Sequence, residues 1–400
     1  MRAVLVPIAH GYGSTVRLLA VANELRKRRH EAAFAVAESI GRVVRQYGFE
    51  ASNVVAVPID HTSDVPPIVQ VLRGEAAGDF LERQVEDVRR VIRDFQADVV
   101  IFSNNNAAGI AAGVEDRPTV SVFHPSVMQY YDLQSGVAVV LKWRRFFALK
   151  SRFELRREVP SSLLGDLNFI PSIPPLARWP FTQPPEILFR RRPVKTIGAL
   201  LRTAPEELPD QETLKREFGV EGEPFVYASI GGAVADPVFL RAIADGLRIS
   251  GRRALLTVGG ERPTGPGPDE LVESLSAERV KVIRFLPEAM RAIKACDVLV
   301  WHGGHETMME AVAAARPAIG IPFQHDQLEH TSRLAEAGAA LRIPREQLSA
   351  KALADAIEEV LANNSYAEQA RRLKRINDSL GGVVRLVDST EALVYGGRRI

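Results

Sequence analysis

The stretch from Val298 to Gln327 constrains the fold of this chain more than any other. It reads VLVWHGGHETMMEAVAAARPAIGIPFQHDQ. The apolar run Val298-Leu299-Val300-Trp301 has the length and continuity of a buried strand. It stops at His302-Gly303-Gly304. Met308, Met309, Val312 and Ala313 then recur at helical spacing. Pro317 ends that helix, because proline has no N–H to continue the ladder. A second apolar run, Ala318 to Ile321, leads through Pro322 into a predicted polar loop, Gln324-His325-Asp326-Gln327. Glycines let a backbone approach an anion closely, and the free N–H groups and dipole of a helix start favour negative charge. The order strand, glycine turn, helix, strand, polar loop therefore suits a phosphorylated ligand. His302 is a candidate phosphate donor at the strand tip. Thr307 and Glu310 share one helix face: a hydroxyl for phosphate and a carboxylate for the two hydroxyls of a ribose. Asp326 and Gln327 follow the next strand at its carboxyl end, where open α/β sheets bind ligands, and there they can meet the hydroxyls of a sugar.

The Gly303-Gly304 pair alone is a weak signal, because an ordinary turn with a capping threonine also explains it. The ordered set of His, Gly-Gly, Thr, Glu, Pro and Asp-Gln is specific. This set resembles the nucleotide-sugar signature of the UDP-glycosyltransferase family. His302, Gly304, Thr307, Glu310, Pro317, Pro322, Asp326 and Gln327 fall on the family pattern. Ala315 departs from it where glycine is usual, and so does His330, where many members have asparagine. Pro322 to His325, with Glu336 to Ala340, is also similar to the lipid-linked GlcNAc transferases of peptidoglycan synthesis. Both belong to the GT-B superfamily. The resemblance implies an α/β chain of two Rossmann-like, doubly wound domains facing a cleft.

Composition agrees with a soluble α/β chain. Of 400 residues, 46% are hydrophobic and 25% charged, and the net charge of +2 gives no global case for nucleic acid. The length suggests two domains. The single Cys296 excludes an internal disulfide and a cysteine zinc site, and fits a reduced, cytoplasmic setting. Met1 to Ile8 is apolar but short and runs into a glycine turn, so it reads as a first strand and not a leader. No run of about 18 apolar residues suggests a membrane span.

The first half repeats the strand-turn-helix design. Ala3–Pro7 is a strand, His10 to Ser14 a glycine turn, and Leu18, Ala22 and Leu25 mark one helical face. Further units are strands near Val36 and at Val54–Val57, a helix at Phe80–Phe95, and strands at Asp98–Phe102 and Thr119–Phe123. Alternation of this kind predicts a parallel, doubly wound sheet. By alignment with the family, Ser14 stands where the catalytic base is usually histidine or aspartate. Ser103 to Asn106 stand where a carboxylate usually orients that base. A serine is not basic enough near neutral pH to take the acceptor proton alone, and Ser14 equally suits a helix cap. His10, in the same loop, is the first candidate base. His124, after the strand at Thr119, is the second, and Asp60-His61 a third. An acidic acceptor or a good leaving group would need no strong base.

Lys142 to Arg157 carries seven Lys or Arg against one Glu, interleaved with Trp143, Phe146, Phe147 and Phe153. Such a stretch suits an anionic membrane surface or a lipid acceptor, and equally a solvated helix with its aromatics in the core. In the family this region forms the acceptor wall, so Trp143, Phe146 and Ser14 are acceptor-side candidates.

Pro171 to Pro209 is proline-rich, holds one predicted strand at Thr196–Leu201, and otherwise reads as linker. Strands are expected at Phe225, Ala254–Val258 and Val280–Phe285. Gly232, after the strand at Phe225, is a candidate for approach to the phosphates. Leu286 corresponds to the family position whose backbone pairs with the nucleotide base. The tail Val383–Val394 resembles the helix that crosses back to the first domain. The expected domains are 1–205 for the acceptor, a linker at 206–222, 223–380 for the nucleotide sugar, and a tail at 381–400.

The expected activity is transfer of a sugar from a UDP- or TDP-linked donor to a hydroxyl of a hydrophobic or lipid acceptor. It would be inverting and metal-independent, with no cofactor. The expected location is the cytoplasm, with peripheral contact to an anionic membrane. Two other classes fit less well: a non-catalytic homologue acting as an auxiliary partner, and a sugar-nucleotide epimerase or hydrolase on the same fold.

Overall fold

A computed structural model describes residues 1–8, 12–56, 79–123, 164–177, 194–230, 237–259, 268–323 and 325–396. The chain divides into two compact units, one of Met1–Arg202 with Leu380–Ile400, the other of Thr203–Ser379.

The first unit is built on a parallel sheet of seven described strands. They are β1 (Arg2–Pro7), β2 (Glu31–Val36), β3 (Glu50–Asn53), β4 (Val99–Ser103), β5 (Thr119–Val122), β6 (Leu167–Ile170) and β7 (Val194–Thr196). Their order is β3-β2-β1-β4-β5-β6-β7. A strand sends successive side chains to opposite faces, and β1 shows why its whole run is apolar. Ala3 and Leu5 join one core with Leu18 and Leu25 of the helix Tyr12–Lys27 and with Leu386, Val387 and Val394 of the helix Gly382–Gly396. Val4 and Val6 join a second core with Val85, Val88 and Ile92 of the helix Phe80–Asp94. A strand covered on both faces has no polar side. The last helix therefore belongs to the first unit, and the Gly382 N–H bonds the Ile197 carbonyl at 2.7 Å.

The second unit has a six-stranded parallel sheet, β8 (Phe225–Ser229), β9 (Arg253–Thr257), β10 (Val280–Ile283), β11 (Val298–Trp301), β12 (Ala318–Gly320) and β13 (Ala340–Arg342). Their order is β10-β9-β8-β11-β12-β13. Val298 and Val300 pack with Ile243 and Leu247 of the helix Pro237–Ile249 and with Leu353 and Ile357 of the helix Ala350–Ala362.

Three sequence expectations are corrected. The third strand lies at Glu50–Asn53, ahead of the expected Val54–Val57. Its register against β2 (Ala33 with Glu50, Val36 with Asn53) sets it at the sheet edge, where half-buried polar residues are tolerated. The proline-rich stretch is not all linker. Its start, Pro171 to Ala177, follows a strand, Leu167–Ile170, that was not expected, and its strand β7 begins at Val194 and ends at Thr196. The expected polar loop at Asp326 is the first turn of a helix, His325–Glu336, held in part by a bond described below. Among the described residues no helix is long and apolar enough to cross a membrane.

Candidate functional site

In each sheet the strand order reverses direction once, and ligands of doubly wound sheets bind at the carboxyl ends of the strands beside that point. In the second unit the reversal lies between β8 and β11. Trp301, at the end of β11, pairs with Ser229 on one side and Gly320 on the other. The turn that follows begins where the three strand ends meet.

The turn is shaped by two glycines with different duties. Gly303 has φ +93°, a conformation that side chains resist. A Cβ there would also lie 2.7 Å from the Gln327 Cβ. Gly304 has an ordinary extended backbone and caps the helix His305–Ala313 without a side-chain hydrogen bond to the first turn. A Cβ on Gly304 would lie 2.8 Å from His302 Nε2. Glycine at 304 thus leaves room for the histidine ring over the helix start. Two features here suit anion binding: a bare backbone at the turn and a helix whose N-cap residue has no side chain.

His302 is partly buried, and its Nδ1 lies 3.3 Å from the Ser229 carbonyl oxygen. Burial holds its pKa below the ordinary histidine value, while the Ser229 carbonyl and Asp326 favour the charged ring and His330 opposes it. Thr307 and Glu310 are half-buried on the helix that starts at the turn. Below them Tyr227 is buried, with its hydroxyl 3.3 Å from Thr257 Oγ1. Burial raises the tyrosine pKa to about 12, and the nearby Glu310 carboxylate adds to the shift.

Asp326 and Gln327 differ in exposure. Asp326 is exposed, and Gln327 is only 4% exposed. The Gln327 Oε1 accepts the Phe323 N–H at 2.8 Å, so this side chain closes the start of its own helix. That bond helps hold the first turn of the helix on which Asp326 and Gln327 stand. His330, buried one turn later, donates from Nδ1 to the Gly303 carbonyl at 2.8 Å. It ties the helix carrying Asp326 to the glycine turn, and its ring packs against His305 with centroids 5.4 Å apart. His330 was visible in sequence as a departure from the family pattern, but the bond it makes was not.

Leu286 follows β10 and is half-buried between Phe285, which is 60% exposed, and exposed Pro287. The segment is held by the N–H of Gly259, which donates to the Arg284 carbonyl at 2.9 Å. Gly232 lies outside the described residues. The structure thus brings His302, Gly303, Gly304, Thr307, Glu310, Asp326 and Gln327 to one end of one sheet.

The acceptor-side candidates are less completely described. His10, His124, Trp143 and Phe146 lie outside the described residues, as do Asp60 and His61. Ser14 is 6% exposed on the first helix. Ser103, fully buried at the end of β4, accepts a hydrogen bond from Arg17 at 3.2 Å. Asn105 donates to the Pro7 carbonyl at 3.0 Å and accepts the Ala108 N–H at 3.1 Å, capping the helix Asn106–Val114. Among the described residues no group of three or more His, Cys, Asp or Glu is arranged to hold a metal ion.

Residues 238–380 match the glycosyltransferase family 28 C-terminal domain. An uncharacterised glycosyltransferase of Methanosarcina mazei is 24% identical over 96% of each chain. The NDP-glycosyltransferase YjiC of Bacillus subtilis is 22% identical over 96% of this chain and 95% of its own. A Tolumonas auensis UDP-N-acetylglucosamine–N-acetylmuramyl-(pentapeptide) pyrophosphoryl-undecaprenol N-acetylglucosamine transferase is 29% identical over 31% of this chain and 36% of its own. Among solved structures, the calicheamicin glycosyltransferase CalG4 superposes with a TM-score of 0.74 at 18% identity, covering 100% of both chains. The glycosyltransferase VinC in complex with dTDP gives 0.72 at 18% identity, covering 98% of this chain and 99% of its own. The fold is theirs, and the resemblance read from Val298 to Gln327 is borne out.

Proposed function

We propose that the chain is a glycosyltransferase of the GT-B superfamily that moves a sugar from a UDP- or TDP-linked donor to a hydroxyl of a hydrophobic or lipid acceptor, a reading the comparisons support. One observation carries the donor half. His302, the uncapped helix start at Gly304, Thr307, Glu310 and Asp326 converge at the carboxyl ends of β8, β11 and β12.

The roles follow from chemistry. The diphosphate lies over the helix start, where backbone N–H groups and the helix dipole meet its charge. Thr307 adds a hydroxyl, and Glu310 accepts the ribose hydroxyls. The segment at Leu286 meets the base with its backbone. Asp326, exposed beside the turn, orients the sugar hydroxyls. Gln327 acts from beneath, fixing the helix that carries Asp326. Fixed donors aimed at the departing diphosphate stabilise charge as it develops, without a metal ion. Direct displacement at the anomeric carbon inverts its configuration. The thymidine diphosphate held by VinC supports a pyrimidine diphosphate donor. The undecaprenol-linked substrate named for the Tolumonas relative, with the basic aromatic run Lys142 to Arg157, supports a lipid or hydrophobic acceptor. His10 is the proposed base and His124 the alternative.

Ser14 and Ser103 favour one second reading, a non-catalytic homologue, because neither serine can serve as base. Titration calorimetry with UDP, TDP and GDP tests the main reading, with His302→Ala alongside. Tight binding of one nucleotide, weakened at least about tenfold in the variant, is expected, a loss of about 1.4 kcal/mol. No binding of any nucleotide would hand the lead to the non-catalytic reading.

A further inference from the structure

The His302 ring offers a bound diphosphate the wrong edge in its resting state. Its protein hydrogen bond runs from Nδ1 to the Ser229 carbonyl oxygen, at 3.3 Å. A carbonyl only accepts, so Nδ1 carries the hydrogen and Nε2 of the neutral ring presents a lone pair. That same Nε2 overhangs the helix start, 2.8 Å from where a Cβ on Gly304 would sit. Burial keeps the free ring neutral at pH 7. Phosphate oxygens are acceptors too, so an anion at the helix start would meet a lone pair with no hydrogen between.

We propose that binding of the nucleotide sugar is coupled to uptake of one proton from solvent at His302 Nε2. This inference rests on the donor-site reading above. The imidazolium has two N–H groups, so Nδ1 keeps its bond to Ser229 while Nε2 donates to a phosphate oxygen. The ring need not turn. The ionisable groups around it divide. Asp326, on the neighbouring helix, favours the charged ring, and His330, on that same helix, opposes it. His305, Glu306 and Glu310 belong to the helix that starts at the turn, and the incoming diphosphate adds the deciding negative charge. When the bond between the anomeric carbon and the diphosphate oxygen breaks, its electron pair stays on that oxygen. The diphosphate gains one negative charge, facing a cation already in place.

The test is calorimetry of the full chain with UDP-glucose at pH 8, in HEPES and in Tris, whose ionisation enthalpies differ. The diphosphate of UDP-glucose is a diester with no group titrating near neutrality, so protons exchanged belong to the protein. The expected buffer dependence corresponds to uptake of close to one proton per nucleotide, and the affinity falls about tenfold from pH 7 to pH 8. His302→Gln keeps an N–H donor that does not titrate, and its binding should show no uptake and no pH dependence. Binding with a buffer-independent enthalpy, or with the same uptake in His302→Gln, overturns the inference and leaves the donor site standing. Failure of both UDP-glucose and TDP-glucose to bind removes the donor-site reading, and this inference with it.

Discussion

The two units use the same architecture and treat its most useful point differently. Each sheet reverses its strand order once, between β1 and β4 in the first unit and between β8 and β11 in the second. At the second reversal Gln327 and His330 are buried and bonded within the fold, but other polar groups keep some exposure. His302, Thr307 and Glu310 are partly exposed, Asp326 is exposed, and the helix start has no capping side chain. At the first reversal Arg17, Ser103 and Asn105 are buried and bonded within the fold. Arg17, 4% exposed, reaches Ser103, and Asn105 spans from Pro7 to Ala108. A buried polar group must find its bonds inside the protein. One reversal point is therefore open to a ligand, while these residues at the other are committed to the fold.

That contrast can be broken most severely at Gly303. Gly303→Ala puts a side chain at φ +93° and its Cβ against Gln327. A loss of about 3 kcal/mol in unfolding free energy of the second unit is expected in urea, with nucleotide binding abolished. Wild-type stability would show that the turn relaxes and that the close approach does not matter. Arg17→Ala probes the opposite reversal. It should cost about 2 kcal/mol in the first unit, from lost packing and a lost bond to buried Ser103, while nucleotide affinity stays within about twofold in calorimetry. Glu310→Ala should leave the melting temperature unchanged and weaken UDP binding by about 2 kcal/mol, since it removes a charged partner of the ribose. Unchanged UDP affinity would remove Glu310 from the donor site.

A smaller effect concerns pH. His302 has a lower pKa in the fold than in the unfolded chain, where it is about 6.5. Between those values the unfolded chain binds the proton and the fold does not. Stability of the unliganded protein should therefore fall as pH drops through about 6.5, and should fall less in His302→Gln. Urea midpoints from pH 7.5 to 5.5 would show it, and identical slopes would contradict it. Smallest of all, Ser14→Ala should change kcat by less than about threefold, because a serine hydroxyl is not the base. A larger drop would give Ser14 a direct part in catalysis.

Much of this was written in the chain. The runs Ala3–Pro7 and Val298–Trp301 announce strands covered on both faces, because only such strands have no polar side. The glycine pair marks where the signature helix begins, and the helix ends at Ala313, four residues before Pro317. The order of His302, Thr307, Glu310 and Asp326 resembles a nucleotide-sugar signature, and strand and helix periods carry those residues to one sheet end. Tertiary structure decided what periodicity cannot encode. The edge strand Glu50–Asn53 has no apolar pattern, and only its register against β2 makes it a strand. Gln327 reads as a sugar ligand in sequence, and nothing there shows that its Oε1 also accepts the Phe323 N–H. His330 reaches Gly303 across 27 residues of chain. The tautomer of His302 depends on a carbonyl 73 residues away. Local sequence sets which backbone forms and which faces are apolar. Which hydrogen-bonding edge a side chain has left for a ligand depends on partners that only packing brings near.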